Sequence, residues 1–172
     1  MSLLRNVIGP HPNLWDFINT IKNPTVKQTI KKRIQEYQAK PDVIDKFSSI
    51  TDRYFFVVFA TEWNAECRAE LPNLAKVFIA ANNAALNIKV IDFDENRDIA
   101  DEMNVLRIPT IIIHDKAWRE IGRFVEKPQM GGTLEEELWQ IIDSYTQKAL
   151  QRIGLTDYGH FDVYSHKTRD QR

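Results

Sequence analysis

The seven residues from Tyr54 to Ala60 (YFFVVFA) constrain the fold more than any other segment of this chain. Each is aliphatic or aromatic, and no charged residue interrupts the run. A short run of this kind, rich in β-branched and aromatic residues, is typical of a strand buried on both faces in the middle of a sheet. We therefore predict that this segment is the central strand of the fold.

The segments after this strand alternate between helical and strand patterns. A helix is predicted from about Ala65 to Ala84, with a kink at Pro72 because proline removes one backbone donor. Residues 88–93 (IKVIDF) then predict a second strand, and residues 98–103 a short helix. The resulting order, strand-helix-strand-helix, implies a parallel crossover between the first two strands.

The next segments predict a hairpin and a final helix. Residues 110–114 form a third strand and residues 120–126 a fourth, joined by a turn at Asp115-Lys116, so the sheet is mixed. After Gly131-Gly132, Thr133 and Glu136 have the spacing of a capping box. The helix that follows carries an apolar face toward the sheet, made of Leu134, Leu138, Ile141 and Ile142.

Residues 11–50 predict two or three helices ahead of the central strand. Asn23 suits an N-cap and Pro24 the first position of a helix. Apolar residues then recur at helical spacing, namely Val26, Ile30, Ile34 and Tyr37. The basic residues between them are interpreted as a solvated helix face with a Lys32–Glu36 pair, rather than as a phosphate site; they are Lys27, Lys31, Lys32 and Arg33.

Composition limits the class of protein. A chain of 172 residues suits one domain with a short extension, and 43% hydrophobic residues suffice for a core. The net charge of -1 predicts no nucleic-acid partner, and no apolar stretch is long enough to predict a membrane span. The N-terminus lacks the pattern of a signal peptide, and a single cysteine excludes an intramolecular disulfide, so we expect a cytoplasmic protein.

Three segments are expected along the chain: an N-terminal helical extension (1–50), the α/β domain (51–152) and a C-terminal tail (153–172). The tail is mostly polar. Its aromatic residues Tyr158, Phe161 and Tyr164 either fold back onto the domain or stay disordered, and the sequence does not decide between the two.

Three motifs point to a known family. Residues 55–68 (FFVVFATEWNAECR) resemble the thioredoxin strand and its Trp-Cys-x-x-Cys turn, with Cys67 at the second cysteine. Pro72 lies where thioredoxins kink the following helix, and Arg107-Ile108-Pro109-Thr110 resembles their cis-proline loop. The chain is thus similar to thioredoxin-like proteins over residues 51–150. The resemblance implies a central mixed β-sheet flanked by helices, with a cis peptide bond before Pro109.

The departures from the family pattern concern its chemistry. The position of the attacking cysteine is Asn64, which cannot form a mixed disulfide, and the family's buried acid corresponds to Val58. Thiol-disulfide exchange needs one thiolate to attack and a second thiol to resolve the intermediate. Cys67 falls inside the predicted helix, where we expect burial to make its thiol unreactive. Asn64 is expected to act as the N-cap, accepting from the backbone of Glu66 or Cys67.

Two functions stay open on this basis. The first is a redox-inactive module that binds an extended protein segment in a groove between a partly exposed Trp63 and the Ile108-Pro109 loop. The second is a protein whose lone Cys67 exchanges with glutathione or a partner thiol in cell redox homeostasis. Whether the chain is an enzyme is therefore undecided. No cofactor or metal site is expected: glycine-rich phosphate motifs are missing, His160 and His166 lie in the tail, and Asp92, Asp94 and Glu95 suit loop and cap roles.

Overall fold

The computed structural model describes Gly9 and residues 11–154, so the predictions for Tyr158, Phe161, Tyr164 and the two tail histidines lie outside the described residues. Four strands form one sheet in the order β2-β1-β3-β4. The strands are β1 (Tyr54–Ala60), β2 (Leu86–Asp92), β3 (Thr110–His114) and β4 (Glu120–Val125). The helices are α1 (Leu14–Thr20), α2 (Pro24–Glu36), α3 (Pro41–Ser48), α4 (Ala65–Ala81), α5 (Arg97–Glu102) and α6 (Leu134–Arg152).

The first strand has the internal place that its composition predicts. β1 pairs in parallel with β2 on one side and antiparallel with β3 on the other. β3 in turn pairs antiparallel with β4, so the sheet is mixed. Within β1 every residue except Phe55 is buried. The parallel crossover through α4 brings the ends of β1 and β2 to the same edge of the sheet, where the candidate site lies.

Several elements end a little away from their predicted positions. α4 stops at Ala81 rather than Ala84 because Asn82 adopts a left-handed conformation with φ 44°. The Asn82 N–H donates to the Phe78 carbonyl, which closes the helix. β2 begins at Leu86 and ends at Asp92, and β4 ends at Val125. Such end residues depend on local caps and pairing partners that a hydrophobic pattern does not encode.

The N-terminal helices share the core of the sheet domain. Residues of α1 and α2, including Leu14, Ile18 and Ile30, belong to the same buried cluster as β1. α2 packs on α4, while α1 packs on β2. Just before α1, the Pro12 carbonyl accepts a hydrogen bond from the Val90 N–H at 2.8 Å. The N-terminal segment therefore lies beside β2 on the side away from β1.

The last helix is joined to the N-terminal helices by a buried carboxylate. Glu135 is fully buried in the first turn of α6. It accepts from the Tyr37 hydroxyl at 2.6 Å and from the Lys40 N–H at 3.0 Å. The predicted capping box between Thr133 and Glu136 is confirmed. None of the helices among the described residues is long and apolar enough to cross a membrane.

Candidate functional site

Asn64 lies at the start of α4, in the turn that leaves β1. It is the N-cap of the helix, and its side-chain oxygen accepts from the Cys67 N–H at 2.9 Å. The capping role expected from the sequence is thus confirmed, with Cys67 rather than Glu66 as the donor. The hydrogen bond satisfies one of the backbone donors that a helix N-terminus leaves free. This position is the one from which a thiolate attacks in the family pattern, and here it holds a neutral amide.

Cys67 is the third residue of α4, and its side chain is completely buried. Burial raises the pKa of the thiol to about 12, although a backbone hydrogen bond from Thr61 acts in the opposite direction. Desolvation therefore outweighs the favourable position near the helix N-terminus. At neutral pH the residue is a protonated, inaccessible thiol, as its place inside the helix predicts.

The position of the family's buried acid lies within β1. Val58 is fully buried there and belongs to the hydrophobic core. Val58 pairs with Val90 of β2 and Ile111 of β3, so its neighbours in the sheet are aliphatic as well. A side chain without an ionisable group cannot relay a proton to or from the buried Cys67 thiol.

Trp63 is exposed over 57% of its surface, so its ring is available to a ligand. Its indole N–H donates to Asp94 Oδ2 at 2.6 Å, and Asp94 Oδ1 accepts from Arg97 at 2.7 Å. The Trp63 hydrogen bond, followed by Arg97, holds the pKa of the Asp94 carboxyl below its ordinary value. The sequence did not predict the Trp63–Asp94 hydrogen bond, because the two residues lie 31 positions apart, in the loops after β1 and β2.

The loop after α5 contains Ile108 and Pro109, and the peptide bond between them is cis. Both residues are buried, whereas the preceding Leu106 is 86% exposed. The Pro109 carbonyl accepts from the Glu126 N–H, and the Arg107 carbonyl accepts from the Thr110 hydroxyl. By contrast, the backbone N–H and C=O of Ile108 make no hydrogen bond to any described residue.

The predicted site residues are thus brought together only in part. Asn64 and Cys67 are joined by a hydrogen bond, and the backbone of Thr61, directly after β1, partly offsets the burial that raises the pKa of the Cys67 thiol. Trp63 lines a cavity whose other walls are the N-terminal segment and the loop after β2, and Ile108 is not among its lining residues. A groove that includes both Trp63 and the Ile108-Pro109 loop therefore stays a prediction.

Asp92, the last residue of β2, has the loop role expected of it. Asp92 Oδ1 accepts from the N–H groups of Asp94 and Glu95, which closes the turn before α5. Within residues 11–154, no group of three or more histidine, cysteine and acidic side chains is arranged to hold a metal ion.

Comparison with solved structures finds two chains with the same fold over most of their length. A crystal structure of a protein of unknown function from Pseudomonas aeruginosa is 16% identical, covering 90% of this chain and 96% of that chain at a TM-score of 0.63. An HIV epitope scaffold is also 16% identical, and the match covers 90% of this chain and 97% of that chain at a TM-score of 0.64. Thioredoxin 1 from Thermosipho africanus is 26% identical, and the match covers 55% of this chain and 97% of that chain at a TM-score of 0.42. No curated protein matches the sequence.

The family assignment comes from the sequence match. The family model described as thioredoxin matches residues 12–139. The match thus begins within the N-terminal segment, whereas the motifs seen in the sequence placed the resemblance at residues 51–150. The N-terminal helices carry an apolar stripe but no motif, so their part in the family fold was not apparent from single residues. The chain belongs to the thioredoxin family.

Proposed function

We propose that this protein binds an extended protein segment beside the Ile108-Pro109 loop and does not reduce disulfides. The observation that carries the proposal is the pairing of Asn64 with the Cys67 N–H. An amide fills the place of the attacking thiol and stabilises the helix there, so the loop keeps its shape without the chemistry.

The state of Cys67 supports the same proposal. A thiol with a pKa of about 12 and no exposed surface is a poor nucleophile at neutral pH, because the thiolate is the reactive species. The second thiol needed to release a mixed disulfide is also missing, since Cys67 is the only cysteine of the chain. The alternative, a lone thiol that exchanges with glutathione or a partner, requires α4 to open around Cys67.

The loop at Ile108 supports a binding role. Its backbone N–H and C=O have no partner among the described residues, and they lie just before the start of β3 at Thr110. A free donor and acceptor on one residue can pair with the backbone of an extended segment, in the manner of strand addition. Leu106, which is 86% exposed two residues earlier, offers apolar contact area to the same segment.

The proposal is tested by capturing partners from native lysate with the full-length protein, with and without reductant. We expect capture to be independent of reductant and unchanged by Cys67→Ser. Leu106→Ser should reduce it, whereas Ile79→Ser, a matched change at an exposed residue of α4, should not. Capture that disappears with reductant and with Cys67→Ser would instead establish the one-thiol alternative.

A further inference from the structure

A groove with apolar walls lies between α3 and α6, in two parts that both contact Trp139. The first part has a volume of about 440 Å³, and Ile50, Tyr54 and Ile142 contribute to its lining. The second part, of about 320 Å³, extends past the start of α6 to Met130, which is 69% exposed. Apolar side chains that line an open groove are typical of a surface that another segment covers.

The apolar stripe that lines this groove continues to the end of α6. At 100° per residue, five residues of the helix and its C-cap fall within an arc of about 80°: Trp139, Ile142, Thr146, Ala149 and Ile153. Thr146 and Ala149 are exposed, and Ile153 is exposed over 67% of its surface. A stripe of this kind normally faces other parts of a protein. Within residues 11–154, nothing covers it over the last two turns of the helix.

The backbone at the end of α6 favours a chain that turns back along the helix. Gly154 has a φ of 72°, and its N–H donates to the Gln151 carbonyl at 3.1 Å. Glycine in this left-handed conformation ends many helices and turns the chain out of the helix axis. The residue after such a glycine commonly packs on an apolar residue about one turn back. In this sequence that next residue is Leu155.

The segment after Gly154, residues 155–172, lies outside the described residues, but its sequence matches the groove in length. Aromatic residues recur in it at every third position: Tyr158, Phe161 and Tyr164. An extended chain rises about 3.3 Å per residue, so about 20 Å separates the first of these from the last. At 1.5 Å per residue, the part of α6 from Thr146 back to Leu134 is about 18 Å long. The three aromatic residues therefore span the length of the groove.

Charge is complementary in the same order along the chain. The part of the groove near the start of α6 is lined by one basic residue, Lys46, and by three carboxylates: Asp42, Glu136 and Glu137. Glu136 pairs with Lys40, whereas Asp42 makes no ion pair with a described residue. In residues 155–172, the aromatic positions are followed by three basic residues and one acidic one: Lys167, Arg169, Arg172 and Asp170. A segment that runs antiparallel to α6 would thus bring its basic end to the acidic end of the groove.

We propose that residues 155–172 turn back at Gly154 and dock in the groove between α3 and α6. The three aromatic residues pack along the apolar stripe, and Lys167 and Arg169 lie near Asp42. Because the segment is joined directly to α6, its effective concentration at the groove is high, and modest contacts suffice to keep it there. The occupant is therefore a segment of the same chain, and this face of the protein is closed to other partners while the segment is docked.

The test places a nitroxide label on the segment and follows the tryptophan signals of the whole chain. The label is attached at Ser165→Cys, in a Cys67→Ala background that leaves no other thiol. We expect the Trp139 indole N–H and the Thr146 amide to lose most of their intensity in the nitrogen-15 spectrum and to regain it when the label is reduced. The Trp63 indole is the internal reference and should keep its intensity, because Tyr54 lines the groove at the start of β1, about 20 Å from the other end of that strand.

Variants on both sides of the contact test whether it is specific. Replacing all three aromatic residues of the segment with serine should restore the Trp139 signal in the labelled protein. Thr146→Arg places a long side chain in the groove and should also restore it. Gln147→Arg adds the same side chain at the next exposed position of α6, outside the groove, and should leave the loss of signal unchanged.

A mixed sample distinguishes docking within one chain from docking on a second copy. Labelled protein without nitrogen-15 is mixed with nitrogen-15 protein without label, and we expect no loss of the Trp139 signal. An equal loss in the mixed sample would show that the segment binds a second copy and would overturn the proposal. The proposal is also overturned if Trp139 keeps its full intensity in the labelled protein, which would leave the groove open to a different protein, or if Gln147→Arg restores the signal as fully as Thr146→Arg.

Discussion

The reactivity of Cys67 tests most sharply whether burial makes this thiol unreactive in the folded protein. The perturbation is unfolding, which changes the pKa of the thiol from about 12 to an ordinary value of 9.0. At pH 8 this difference lowers the thiolate fraction of the folded protein by about 10³-fold. A thiolate of higher pKa is intrinsically more nucleophilic, and over three pKa units this raises the rate constant of the thiolate by roughly 20-fold. The net slowing from the pKa alone is therefore about 50-fold.

Burial also blocks direct attack on the closed native state. Because none of the Cys67 surface is exposed, the closed state should react at least about 50-fold more slowly than the unfolded chain, and faster labelling would have to proceed through opening of α4. The assay is labelling with an aromatic disulfide reagent at pH 8, with and without denaturant. Each molecule has one thiol, so the rate reports on Cys67 directly.

A matched control separates burial from the effect of denaturant on the reagent. The double variant Ala65→Cys, Cys67→Ser moves the thiol to an exposed position in the first turn of the same helix. Its labelling rates in the folded and unfolded states should differ only a few-fold. If Cys67 of the native protein labels within tenfold of the unfolded rate, the burial argument is wrong and the one-thiol function gains support.

Three further predictions concern stability and activity. Because the pKa of Cys67 is raised in the folded state, the unfolded state releases the thiol proton first as the pH rises through 9. Between pH 7 and 10, the free energy of unfolding of the native protein should therefore fall by about 1.4 kcal/mol more than that of Cys67→Ala, as measured by denaturant unfolding. The same dependence of stability on pH in both proteins would contradict this. Asn64→Ala should lower the free energy of unfolding by about 1 kcal/mol, because the N-cap is lost, and Asn64→Asp should lower it much less. Asn64→Cys should gain disulfide-reducing turnover that the unmodified protein lacks, and adding Cys67→Ser should remove that turnover. Gly122→Ala should destabilise β4 against α6 by roughly 1–3 kcal/mol, because the new Cβ would lie 2.6 Å from Ile141 Cγ2, and adding Ile141→Ala should recover most of the loss in melting temperature.

Local patterns predicted the elements that carry the site. The β1 run, the Asn64 cap and the capping box before α6 all depend on residues within a few positions of one another. Such features follow from strand composition and side-chain acceptors alone. The end of α4 was misplaced because Asn82, rather than a break in hydrophobicity, adopts the left-handed conformation that stops it.

Hydrogen bonds between residues far apart in the sequence could not be predicted from local patterns. The Trp63–Asp94 hydrogen bond spans 31 positions, and the Lys22–Glu62 hydrogen bond spans 40. Each joins two loops whose approach is decided by the sheet order and by the packing of α1 on β2. A polar residue in a loop has many possible partners, and only tertiary packing selects one of them.

The loop between β1 and α4 is stabilised by hydrogen bonds to elements on both sides of it, and these explain how it keeps its shape without a pair of cysteines. The Glu62 carboxylate accepts from the Lys22 N–H at the end of α1, while the Glu62 carbonyl accepts from the Arg68 side chain in α4. Asn64 then caps α4 from within the loop, and Asp94 holds Trp63 from the loop after β2. None of these contacts involves a sulfur atom, so the loop keeps its shape with Asn64 at the position of the family's first cysteine.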